Sequence, residues 1–116
     1  MNEMSDEEAW NSDRLNTQFR FRAQEALSYS LQCRRRAPAN SSYKQLYDDS
    51  TATYFANDYF VDRTFLSSRR ALVEELERVR NREWVPDGVY DRARYLDQWR
   101  REIDSWLALY RRAEET

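Results

Sequence analysis

The chain holds one glycine, Gly88, and two prolines, Pro38 and Pro86, in 116 residues. Sheets need tight turns, and tight turns draw on Gly, Asn-Gly or Asp-Gly steps. A chain punctuated only twice in its interior must be built of long elements, and long elements in a domain of this size are helices. The expected fold is therefore all-α: a compact bundle of three or four antiparallel helices, forming a single domain over residues 1–116. A charged fraction of 34% would suit disorder, but four Trp, eight Tyr and five Phe are too many for a chain that fails to collapse. A net charge of −2 adds little self-repulsion.

The hydrophobic spacing predicts four helices, over residues 5–36, 42–62, 65–84 and 87–113. Ser5 and Glu8 make a capping box, and Leu15, Phe19, Ala23, Ala26, Leu27 and Leu31 follow at helical spacing. Arg34, Arg35 and Arg36 close the segment, and Pro38 ends it. Ser42 and Gln45 form a second capping box before an aromatic segment marked by Tyr43, Tyr47, Tyr54 and Val61. A break is expected between Asp62 and Ser68, with Ser67 and Ser68 as caps; the alternative is one helix of about 40 residues, roughly 60 Å long. Leu72, Val73, Leu76 and Val79 stripe the third helix, with Glu74–Arg78 and Glu77–Arg80 as supporting pairs. Val85-Pro86-Asp87-Gly88 is the clearest turn, with Asp87 capping the last helix. There, Leu96, Trp99, Ile103, Trp106 and Tyr110 alternate three and four apart. That spacing makes Leu96, Trp99, Ile103 and Trp106 a candidate dimer seam if the bundle leaves it open, and core packing otherwise.

The missing residues constrain the chemistry. There is no histidine, so the usual general base and the commonest transition-metal ligand are absent. With Cys33 as the sole cysteine, a structural zinc site and a Cys-His pair are both excluded within one chain, as is an intrachain disulfide. A single glycine excludes phosphate-cradling loops. Asp48, Asp49, Asp58 and Asp62 lie on the second segment; Asp58 and Asp62, one helical turn apart, suggest a magnesium site or an acid–base pair, and a solvated face explains them as well. The chain is expected to be no enzyme and to carry no metal or cofactor. No apolar run approaches a membrane span, and the acidic Met1–Trp10 stretch does not resemble a signal peptide, so a cytoplasmic protein with a reduced thiol is expected.

Arginine and the aromatics carry the positive information. Lys44 is the only lysine among 19 Lys and Arg. Arg, Tyr and Trp are the types enriched at interface hot spots, where Lys is depleted. Aromatics such as Phe19 and Phe21, or Tyr54 and Phe55, cannot share one helical stripe, so some must reach the surface. The leading expectation is a non-catalytic protein-binding module: an adaptor, assembly factor or inhibitor of a larger complex. Small proteins of phages and mobile elements that block host machinery offer the analogy. Tyr43, Tyr47, Tyr54 and Tyr59 are the candidate protein-binding residues. The alternative is a nucleic-acid-associated regulator that contacts phosphates through Arg34, Arg35 and Arg36. Self-association is compatible with either.

Overall fold

The computed structural model describes residues 12–61, 63 and 68–115, with side chains over 15–61, 63 and 68–110. Helix α1 spans Ser12–Arg36, and a 3₁₀ turn, Ala37–Ala39, leads into α2, Ser41–Val61. Helix α3 spans Arg69–Arg80, and α4 spans Arg92–Glu115. The Ser5–Glu8 capping box, Ser67 and Asp62 lie outside the described residues.

Pairing across the helices gives the topology. Ser30 meets Thr51 and Asn16 meets the Val61 carbonyl, so α1 and α2 are antiparallel. Tyr59 meets Glu75 while Phe55 meets Trp84 beyond the end of α3, so α2 and α3 are antiparallel too. Asp49 pairs with Arg94, Thr53 with Gln98 and Asn57 with Glu102. That constant register runs α2 and α4 parallel. Each helix is thus antiparallel to its predecessor in the chain.

On α1 the buried stripe begins as the spacing predicts, through Leu15, Phe19, Ala23 and Ala26. It then continues through Ser30, Cys33 and Ala37, not through Leu27 and Leu31. At 100° per residue, Leu27 and Leu31 sit about 80° and 120° around the helix from Phe19, off the buried face. Leu31 is 46% exposed. Ser30 is tolerated inside because its hydroxyl and that of Thr51 lie 2.8 Å apart and satisfy each other.

Helix α2 is the central element. Asp48, Ser50, Thr51, Ala52, Ala56, Asn57, Phe60 and Val61 are all buried, and together they occupy most of its circumference. The small residues let α1 and α4 approach closely. The polar ones must be paired, since an unpaired buried group costs about 1–3 kcal/mol. Helix α3 presents Leu72, Val73, Leu76 and Val79 inward, as expected. Helix α4 contributes Tyr95, Leu96, Trp99, Ile103, Leu107 and Tyr110 to the same core. Full burial of a side chain such as Leu76 or Ile103 is worth about 2 kcal/mol.

The local signals differ from expectation at several ends. Asn40, not Ser42, begins α2: its carbonyl accepts from the Tyr43 amide and its Oδ1 from the Ser42 amide, 2.8 Å away. Helix α2 ends at Val61, and the Ser68 hydroxyl caps α3 by accepting from the Ala71 amide at 3.2 Å. Helix α3 stops at Arg80, four residues before the expected end, where the Trp99 indole donates to the Val79 carbonyl at 2.9 Å. Asp87 sits in the turn, and Asp91 caps α4 by accepting from the Arg94 amide. Gly88 takes φ +93°, which only glycine adopts without strain. On α3, Arg78 pairs with Glu75 rather than with Glu74, Arg80 reaches across to Asp104 of α4, and Asp97–Arg101 on α4 forms at 3.0 Å.

The connector from Asn81 to Asp91 is tied down at its far end. The Asp48 carboxylate accepts from the amides of Tyr90 and Asp91 at 2.9 and 2.8 Å. Burial raises the Asp48 pKa above the ordinary value even though these two amides favour its ionised form. Among the described residues, no helix is long and apolar enough to cross a membrane.

Candidate protein-binding surface

The four tyrosines expected to form one binding face are divided by the fold. All four are half-buried. Tyr43 accepts a hydrogen bond from Arg36 at 2.8 Å, with the guanidinium over its ring. Tyr47 packs edge-on against Tyr90, with ring centres 5.7 Å apart, and Lys44 lies over Tyr90. These two serve the end of the bundle where the connector is anchored. Tyr54 and Tyr59 lie toward the other end of α2 and belong to a different cluster.

That second cluster is continuous. Tyr54 meets Phe55 edge-on at 4.9 Å, and Phe55 meets Trp84 edge-on at 5.4 Å. The Arg82 guanidinium lies 5.2 Å from the centre of the Trp84 ring and 5.8 Å from that of Tyr59. Arg63 stacks on Tyr59 at 3.6 Å and donates to the Tyr59 backbone carbonyl. Arg78 donates to the Tyr59 hydroxyl at 2.9 Å and forks onto Glu75. Tyr59 completes the triangle by donating to Glu75 Oε1 at 2.5 Å.

The electrostatics follow from this geometry. The Arg78 hydrogen bonds hold the Glu75 carboxyl down at about 2, against partial burial, with further help from the Tyr59 hydroxyl. Burial, together with the bond to Glu75, pushes the Tyr59 hydroxyl above its ordinary value. At neutral pH, therefore, Tyr59 is a neutral donor, Glu75 is ionised, and three guanidiniums converge on one ring. A recess of about 520 Å³ opens beside them, lined by Tyr59, Arg78, Val79, Asn81 and Arg82. Trp84, 46% exposed, lies beside Arg82, one of the residues that line it.

A second recess, about 390 Å³, lies over α2 between α1 and α4 and is lined in part by Arg22, Glu25, Tyr29, Asp49, Thr53 and Gln98. Its principal charges are internally satisfied: Arg22 pairs with Glu102, and Asp49 with Arg94 at 2.8 Å. It is a seam of the bundle, whereas the Arg82–Trp84 cluster presents unspent groups.

The other expected sites are placed as follows. Leu96, Trp99 and Ile103 are buried and Trp106 is half-buried, its ring 4.2 Å from that of Phe19 and its indole donating to Asn57 Oδ1. The bundle closes over this seam, so it is core packing and not an open dimer surface. Arg34, Arg35 and Arg36 are exposed in the last turn of α1, where the helix dipole favours cations. Asp58 is exposed and its expected partner Asp62 lies outside the described residues. Asp48 and Asp49 are engaged with the connector amides and with Arg94. No group of three or more metal-ligating side chains is gathered among the described residues.

Sequence reasoning missed Arg63, Arg78, Arg82 and Trp84 as one site. A signal existed: Trp84, two residues after Arg82 in a stretch ended by Pro86, lies outside the stripe of Leu72, Val73, Leu76 and Val79. The chain matches no protein-family model and has no match among curated proteins or solved structures.

Proposed function

We propose that the chain is a non-catalytic protein-binding module, an adaptor, assembly factor or inhibitor of a larger complex. Its partner is engaged by the aromatic–arginine surface of Tyr54, Phe55, Tyr59, Arg78, Arg82 and Trp84. One observation carries this reading: Trp84 is held edge-on by Phe55 and covered on one side by Arg82, yet leaves nearly half its surface to solvent. Trp99 is almost wholly inside and Trp106 is wedged against Phe19. A half-exposed indole packed against Phe55 and beside a guanidinium is the composition of an interface hot spot, and such packing limits the entropy lost on binding.

A second reading, a nucleic-acid-associated regulator, draws on the exposed Arg34 and Arg35. Affinity capture from a lysate of the source organism, with and without nuclease, separates the two. A protein recovered in both samples and lost with Trp84→Ala supports the module. Recovery that collapses after nuclease, and persists in Trp84→Ala, supports the regulator and sinks the module.

A further inference from the structure

We propose that the recess beside Tyr59 receives a carboxylate side chain from an acidic segment of the partner protein, with Trp84 taking an apolar residue next to it. This rests on the protein-binding reading above and adds the partner's chemistry to it.

Charge is the first argument. Arg63, Arg78 and Arg82 surround Tyr59, and Glu75 is the carboxylate that reaches this ring. Glu75 is already spent on the Arg78 fork and the Tyr59 hydroxyl. The Arg82 guanidinium lies over Tyr59 and Trp84, 5.8 and 5.2 Å from their ring centres, and among the described residues no ion pair engages it. Three guanidiniums against one carboxylate leave an excess of positive charge around Tyr59, and Arg78 and Arg82 line the open recess, in a chain whose net charge is −2.

Geometry is the second. A guanidinium lying over an aromatic face keeps its N–H edge free, and that planar edge matches the two oxygens of a carboxylate. The same cluster already demonstrates the fit, because Arg78 grips Glu75 through Nε and Nη2. Phe55 and Trp84 extend the site with apolar surface immediately beside Arg82, which suits an acidic residue followed by an aliphatic one.

The test titrates the full ¹⁵N-labelled chain at low salt with three probes. These are a capped leucine–glutamate–glutamate–leucine peptide, its glutamine counterpart, and a single-stranded oligothymidine. The glutamate peptide is expected to move the signals of Tyr59, Arg82 and the Trp84 indole saturably. Its binding should weaken roughly tenfold in Arg82→Gln, the loss of one charge-assisted pair. Arg82 is exposed and uses its backbone amide, not its side chain, to close the end of α3, so a melting curve should show that variant folded. Equal binding of the glutamine peptide, or unchanged affinity in Arg82→Gln, overturns the proposal. Tighter binding of oligothymidine at these same residues overturns it in favour of nucleic acid. A captured partner lost with Trp84→Ala but kept with Arg82→Gln leaves the binding module standing and removes only the carboxylate.

Discussion

Glu102, 2% exposed, keeps its carboxylate inside the bundle by sharing it between Arg22 of α1 and Asn57 of α2. Arg22 Nη2 donates to Glu102 Oε2 at 2.9 Å and its Nε to Oε1, while Asn57 Nδ2 reaches Oε1 at 2.8 Å. Asn57 in turn donates to the Thr53 carbonyl and accepts from the Trp106 indole. One buried network thus holds three helices in register. Removing Arg22 strands a buried charge, so Arg22→Met should cost about 3 kcal/mol in urea unfolding, at the low end for a buried pair because Arg22 itself is half exposed. Adding Glu102→Gln to that variant should recover much of the loss. A double variant no better than the single would show that the charge is not what matters.

Tyr95 makes the opposite case. Its ring is wholly buried, and its hydroxyl finds no hydrogen-bond partner among the described residues. Burial pushes its pKa up, so the group is neutral and simply unsatisfied. Tyr95→Phe should raise stability by about 1 kcal/mol, since it removes a desolvated hydroxyl without opening a cavity. A loss of that size instead would reveal a partner for the hydroxyl.

Glu75 should make the surface cluster acid-sensitive. Its folded pKa is about 2, below the ordinary value of 4.5. A depressed carboxyl contributes stability that is fully present above the unfolded value and lost as pH falls through the folded one. Wild type should therefore be more stable than Glu75→Gln at pH 7, and the difference should shrink from pH 5 downward and be nearly gone near pH 2. A difference that stays flat across this range would mean Glu75 gains nothing from Arg78.

Gly88 is required for its backbone and not for its size. A Cβ built there would meet only the Tyr47 hydroxyl, at 3.8 Å. The cost of Gly88→Ala is then conformational, about 1–2 kcal/mol for an L-residue at positive φ. Gly88→Asn should cost less. Equal stability of wild type and Gly88→Ala, by calorimetry, would show that the turn relaxes.

Much of the fold was legible because three helices are amphipathic. The stripes Leu72–Val79 and Leu96–Tyr110 name the buried faces of α3 and α4 directly. Helix α2 was not legible in the same way. A helix enclosed on most sides has no polar face to create a period, and before Phe60 and Val61 its buried residues are Ala, Ser, Thr, Asp and Asn. Asp48 and Asn57 are the types that usually mark a solvated surface, and only the partners on α4 and the connector explain their burial. Tyrosines on such a helix therefore read as a free face when they are shared out among its neighbours. The binding cluster was hidden for a related reason. Its arginines come from α3 and two chain connections, and folding alone brings them to Tyr59.

The central claim is that the partner is held at Trp84 and its neighbours. Phe21, 68% exposed on the outer face of α1, is the fair competitor because it is the most exposed large apolar side chain described. The decisive measurement is quantitative capture of the partner by wild type, Trp84→Ala and Phe21→Ala, each shown by melting to be folded. Truncating an interface anchor costs about 2 kcal/mol or more, roughly thirtyfold in affinity. Loss with Trp84→Ala and full retention with Phe21→Ala is the predicted result. Retention with Trp84→Ala and loss with Phe21→Ala would contradict the account and move the interface to α1.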